Sequence, residues 1–189
     1  ANYNQGSGIY PSQLPNPDLK WETTNQLGIG LDLAAFDNRL TVTVDAYLNK
    51  TKDLLLERPL PPSSGFTTIT SNIGELENKG LEITINTVNL DGELKWESSF
   101  NFTINRNKVT KLYNGEPIPE IGRGSNSVRE GEAIGVFWGF NWLGVDPTTG
   151  EYVYEDLNKD GELTDADKMV IGDPNPDFYG GFSNNFSYK

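Results

Sequence analysis

Asp156, Asn158 and Asp160 alternate along the chain, Gly161 follows, and Asp167 falls at the twelfth position counted from Asp156. Oxygen-bearing side chains at positions 1, 3 and 5, a glycine at 6 and an acid at 12 form the pattern with which a twelve-residue loop wraps Ca²⁺. In that reading Glu162 offers its backbone carbonyl at position 7 and Thr164 serves at position 9, through its side chain or a water. Gly161 permits the sharp turn because it tolerates a positive φ. Two features depart from a full calcium-binding hand. Position 12 is Asp rather than Glu, and the preceding Glu151–Asp156 reads as a strand rather than as an amphipathic helix. The same residues also make an acidic turn in which Asp and Asn side chains bond their own backbone. Both readings stay open, with Ca²⁺ as a structural ion ahead of Mg²⁺ if a metal binds. Residues 151–167 hold seven acids and one lysine, a crowding that a cation relieves.

A second group with chemical potential is aromatic. Trp138, Phe140, Trp142 and Tyr152 precede the acidic loop in sequence. Ring faces of this kind stack on sugar rings or contact a partner, and they equally pack a loop against itself.

The composition excludes several classes. The 189 residues contain no Cys and no His, which removes disulfides, thiol chemistry and His-based catalytic triads. A net charge of −12 argues against a nucleic-acid partner, whose phosphates demand Lys and Arg. Acids are plentiful enough for a glycosidase pair, but solvated acidic loops account for them, and no enzyme is expected. No apolar run approaches a transmembrane helix, although a membrane-spanning strand needs only about ten alternating residues.

The elements that must position these groups read as strands. Leu27, Ile29, Leu31 and Leu33 alternate with Gly28, Gly30 and Asp32, and after the turn at 36–39 Leu40, Val42, Val44, Ala46 and Leu48 alternate with polar residues. Leu81, Ile83 and Ile85 begin a second hairpin that turns at Asp91-Gly92 and returns through Leu94, Trp96, Phe100, Phe102 and Ile104. The predicted strands are 27–36, 39–53, 80–90, 93–106 and 177–188, with 54–79 as a long loop. Residues 107–176 form one excursion holding thirteen acidic and six basic residues, so seven of the twelve net negative charges lie there. Within it, Val136–Val145 and Tyr152–Tyr154 are expected to make a small hairpin, and Thr164 to cap a helical turn at 165–168. The domain plan is therefore 1–106, strands with one long loop; 107–176, the excursion with the calcium-like loop; and 177–189, a last strand. Minimal turns on one side and long connections on the other suit an outer-membrane barrel, and also a soluble barrel or sandwich.

The stretches NPDLKWETTNQLGIGLD, FDNRLTVTVDAYLNKTKDLL, NIGELENKGLEITIN, EGEAIGVFWGFNWLGVD and EDLNKDGELTDADKMVIGDPNPDFYGGFSNNFSYK resemble, in order, segments of SusC-like TonB-dependent outer-membrane transporters. The resemblance runs from about Asn16 to Lys189. It implies an all-β fold: antiparallel strands from the C-terminal half of a transmembrane β-barrel of roughly 22 strands, with 107–176 as an extracellular excursion. It further implies a larger parent with a plug and a TonB box, of which this chain is an excised fragment. The parent sits in the outer membrane of a Gram-negative bacterium and contacts the lipid bilayer. It imports glycans, peptides or other oligomeric nutrients with TonB and a SusD-like surface lipoprotein. The alternative is a soluble all-β carbohydrate-binding or adhesion module with a structural calcium. A fragment of this kind, handled in solution, is expected to self-associate through open strand edges and its apolar face.

Overall fold

A computed structural model describes residues 13–119 and 126–189, together with two-residue strands at Asn2–Tyr3 (β1) and Gly6–Ser7 (β2), which pair with each other. Five long strands form one antiparallel sheet: β3 (Thr23–Ala35), β4 (Leu40–Pro59), β5 (Thr68–Asp91), β6 (Leu94–Lys111) and, last in the chain, β13 (Tyr179–Tyr188). Their spatial order is β13-β6-β5-β4-β3. Each of β3 to β6 pairs with its successor in sequence, and the last strand closes onto β6 after the excursion.

The alternation in sequence becomes rows across the sheet. Leu33, Val42, Ile85, Phe100 and Phe182 are direct cross-strand neighbours, and Leu31, Val44, Ile83 and Phe102 make the next row. The opposite face carries Asp32, Thr43, Thr84 and Asn101 in one such row. The sheet is thus apolar on one side and polar on the other, as period two requires. Yet the apolar side is not a core. Leu27, Ile29, Leu31 and Leu33 are all exposed, as are Phe182 and Phe186. The fully enclosed apolar residues are few: Val109, Leu112 and Val136 among those described. They lie where the excursion meets the end of β6.

Both short turns are at the same end. Phe36, Asp37 and Asn38 all adopt positive φ, a conformation Asp and Asn tolerate better than most residues. The Arg39 guanidinium then donates to the carbonyls of Val88 and Asn89, fastening this turn to the end of β5.

Beyond shifts of a few residues at the start of β3 and β13, three features differ from the sequence reading. Residues 54–79 are not a loop: β4 runs on to Pro59 and β5 begins at Thr68, leaving only 60–67 as connection. The cause is a bulge. The register slips between Thr51 and Leu54, with Asp53 at φ 58°, so the period-two pattern loses its phase there and the strand looks interrupted. Glu22 accepts the amide of Leu55 at this bulge, and Asn72 donates to the Asp53 carbonyl, so the irregular backbone is satisfied. The strand expected to end at 106 continues to Lys111. The hairpin in the excursion is also smaller than expected, because Val136–Phe140 pairs elsewhere.

Candidate functional site

The excursion builds its own small sheet of β7 (Ile118–Pro119), β8 (Asn126–Val128), β9 (Val136–Phe140) and β12 (Lys168–Gly172), in the order β12-β9-β8-β7. A separate hairpin joins β10 (Trp142–Val145) to β11 (Tyr152–Tyr154). The change of partner happens at Asn141. Its side-chain amide donates to Glu155 at 2.7 Å, while its carbonyl accepts the Glu155 N–H at 2.9 Å. That clamp bends the chain out of β9 and into β10. The sheet rests on the end of β6, where Asn107 accepts the Ile134 amide and the Val109 amide donates to the Glu132 carbonyl.

This bend divides the four aromatic candidates. Trp138 is half-buried beneath the Arg129 guanidinium, 3.6 Å from the ring centroid. Phe140 is half-buried against Tyr154, with ring centroids 5.9 Å apart, and lies under the Lys168 ammonium. Both rings are therefore covered by cations, one from just past β8 and one from the start of β12. Trp142 and Tyr152 are exposed, at 58% and 72%. The four do not make one stacking platform: two are packing residues and two face solvent. Nothing in sequence spacing marks Arg129 or Lys168, since only strand pairing sets Lys168 opposite Phe140.

The acidic loop follows the hairpin, and its hydrogen bonds can be followed residue by residue. Asp156 accepts from the N–H groups of Lys159 and Gly161, at 2.6 and 2.8 Å. Asn158 accepts the Asp160 amide and donates from its side chain to the Asp160 carboxylate, and Asp160 accepts the Glu162 amide. Gly161 takes φ 85°, the left-handed conformation that the spacing called for. Thr164 caps the single 3₁₀ turn Asp165–Asp167: its hydroxyl accepts from Ala166, and the Asp167 carboxylate reaches back to the Thr164 amide, closing a capping box.

Asp167 itself is wholly buried. One of its oxygens accepts the Leu157 amide at 3.0 Å, and the other accepts the Thr164 amide at 2.8 Å and the Thr164 hydroxyl at 3.3 Å. The backbone N–H of Thr164, followed by those of Asn158 and Leu157, holds this carboxyl below the usual carboxylate range against the opposing pull of burial. Asp167 thus ties the two ends of the loop together through backbone donors. Among the described residues no three His, Cys, Asp or Glu side chains converge as a set that holds a metal ion. Between this loop and the β10–β11 hairpin lies an open cleft of about 300 Å³, lined by Asp146, Glu151, Tyr152, Asp156 and Glu162 among others. Asp146 belongs to the hairpin turn, where the Thr148 and Thr149 amides hold its carboxyl low.

The large sheet, rather than the excursion, defines the class of protein. Antiparallel strands of 10 to 24 residues carry one continuous apolar face that no layer buries, exposed on β3 and β13 and mostly half-buried on the strands between, with tight turns at one end and the longer connections at the other. A sheet with these properties is the wall of a transmembrane β-barrel.

The chain belongs to the TonB dependent receptor-like β-barrel family, whose model matches residues 1–186. It is 42% identical to TonB-dependent receptor P3 of Formosa agariphila over 98% of its own length and 21% of that protein's. It is 32% identical to TonB-dependent receptor SusC of Bacteroides thetaiotaomicron, covering 100% of this chain and 20% of SusC. The solved structure of the RagAB peptide transporter superposes with a TM-score of 0.84 at 28% identity, over 100% of this chain and 22% of that one. The chain spans about a fifth of the length of the curated relatives it matches. Its fold is that of a SusC-like TonB-dependent receptor: antiparallel strands from part of the barrel, which these five strands do not close.

Proposed function

We propose that this chain supplies wall and outer mouth to a transporter that imports oligomeric nutrients, oligosaccharides or peptides, across the outer membrane of a Gram-negative bacterium. Energy comes through TonB, and a SusD-like surface lipoprotein works above the mouth. The observation that carries this reading is the five-strand sheet whose apolar side is covered by no other layer, exposed at both edge strands and never buried between them. Family membership, the SusC relative and the likeness to a peptide importer support the transport assignment. In this reading the short turns face the periplasm, residues 107–176 face outside, and the chain performs no catalysis. Trp142 and Tyr152, the exposed pair on the β10–β11 hairpin, of which Tyr152 lines the acidic cleft, are the proposed contacts for substrate or lipoprotein, whereas Trp138 and Phe140 hold the excursion together.

The test is deletion of the gene in its native host, with uptake of a panel of fluorescently labelled oligosaccharides and peptides. Uptake of one class should be lost and should return with the wild-type gene. Unchanged uptake of every probe, together with a full-length product that leaves the membrane fraction without detergent, would favour the soluble carbohydrate-binding reading.

For the acidic loop we propose weak Ca²⁺ binding by Asp156, Asn158, Asp160 and the Glu162 carbonyl, with Thr164 and Asp167 holding the loop closed around them. Spacing supports it, and so does lone-pair accounting: a carboxylate has about four acceptor sites, of which hydrogen bonds occupy two at Asp156 and two at Asp160. With Asp167 committed to amides, affinity is expected on the order of 10⁻⁴–10⁻³ M, as in extracellular modules. Calorimetric titration beside the Asp156→Ala/Asp160→Ala variant checks this. No heat and no shift in melting temperature at millimolar Ca²⁺ would leave a self-bonded acidic turn.

A further inference from the structure

The apolar face ends abruptly, and the residues that end it are cations. Beyond Leu48, Leu81 and Ile104, the next positions on that face are Lys79 and Arg106, directly opposite each other, and then Lys50 and Lys108 on either side of Glu77. These are the two rows nearest the excursion end of the band. On the other side of the sheet at the same height the cross-strand neighbours are Gln26, Asn49, Asn78 and Asn107, with no charge among them. The alternation is explicit in the chain as Asn49-Lys50, Asn78-Lys79 and Asn105-Arg106-Asn107-Lys108. In a protein of net charge −12, four cations collect on one side of one sheet, at one level.

Internal pairing accounts for two of the four, Arg106 also donating to the carbonyls of Asn105, Pro176 and Asp177. Lys50 meets Glu77 at 3.3 Å and Arg106 meets Asp177 at 3.0 Å, but Lys79 and Lys108 form no ion pair among the described residues. Like charges directly opposite on a sheet destabilise it, and Lys79 opposite Arg106 is such a pair. An external anion relieves it. Long Lys and Arg side chains on a lipid-facing surface carry their charged ends outward to the polar layer while their stems lie along apolar neighbours. In that layer the anions are phosphates, which guanidinium groups and ammonium groups both bind.

We propose that Lys50, Lys79, Arg106 and Lys108 form a basic rim that binds the phosphates of lipid headgroups in the outer leaflet. The inference rests on the membrane reading above, because it needs the apolar band to face lipid and the excursion to face outside.

The test reconstitutes the full-length protein in nanodiscs of phosphatidylcholine alone and of phosphatidylcholine with phosphatidylglycerol, and compares melting temperatures. The wild type should melt several degrees higher in the anionic discs, and added NaCl should erase the gain. The Lys79→Gln/Lys108→Gln variant, which leaves the Arg106–Asp177 pair intact, should lose most of the gain while melting like wild type in neutral discs. The charge-conserving Lys79→Arg/Lys108→Arg variant should keep it. Free inorganic phosphate added to neutral discs should not reproduce it. Equal melting in both lipids, a gain retained by the glutamine variant, or a gain produced by free phosphate overturns the proposal. Failure to enter discs of either composition would instead strike the membrane reading, since insertion depends on the apolar band and not on headgroup charge.

Discussion

Val44→Lys is expected to destabilise the barrel by about 2–4 kcal/mol, the cost of a lysine at mid-bilayer on a lipid-facing strand. Val44 stands at the centre of the apolar run Leu40–Leu48 and lies between Leu31 and Ile83 on the neighbouring strands. No acid shares its face within that run, so the new ammonium has neither water nor a partner. Thr43→Lys, one residue earlier, is the control. Thr43 points to the other face, where its hydroxyl donates to Asp32 at 2.7 Å; a lysine there gains that carboxylate as a neighbour and stays within roughly 1 kcal/mol of wild type. Urea unfolding of the full-length protein in phospholipid vesicles measures both. Equal losses for the two variants would show that the faces are misassigned.

The second large effect is at Asp167. Asp167→Ala removes the acceptor for the Leu157 and Thr164 amides at a site closed to solvent, and buried donors without acceptors are costly. The loop between Asp156 and Asp167 should open, and amide exchange at Leu157 and Thr164 should quicken by roughly ten-fold or more. The barrel strands should keep their protection. The same carboxylate makes the loop sensitive to acid. Its folded pKa is depressed, first by the Thr164 amide, so its contribution is present above the unfolded carboxylate value and is lost as pH falls through the folded value. Protection of the loop amides, taken as exchange relative to the unstructured rate at the same pH, should therefore fall below the ordinary carboxylate range in the wild type, and be flat there in Asp167→Ala. Unchanged exchange in that variant would mean that the hairpin and β12 alone hold the loop.

The strands were legible where alternation was unbroken. Leu27 to Leu33 and Leu40 to Leu48 each present one face, and Asp91-Gly92 marks a turn with few alternatives. Legibility failed at Asp53, because one bulged residue inverts which side chains face which way; Leu54-Leu55-Leu56 then reads as noise although it continues a strand. The acidic loop shows a similar division. The turn at Gly161 follows from spacing, since few residues other than glycine adopt φ 85° cheaply. The role of Asp167 does not follow, because spacing places an acid at position 12 but not the amides of Leu157 and Thr164 that claim its oxygens. For the aromatics the deciding residue is Asn141, whose clamp on Glu155 sends Trp142 to the solvent side and leaves Trp138 and Phe140 inside. A residue list does not reveal which polar side chain bends a strand.

The length of β5 has a mechanical consequence. Its 24 residues extend about 80 Å at roughly 3.3 Å per residue, or about 60 Å of height at the usual tilt of barrel strands. The lipid-facing band of such barrels is only about 25 Å tall. With the apolar band in lipid, as proposed above, the wall would stand tens of ångströms above the membrane as a stiff parapet, continuous by hydrogen bonds with the part held in lipid. In that reading, anything seated on the parapet would ride at a fixed height over a collar that bends little.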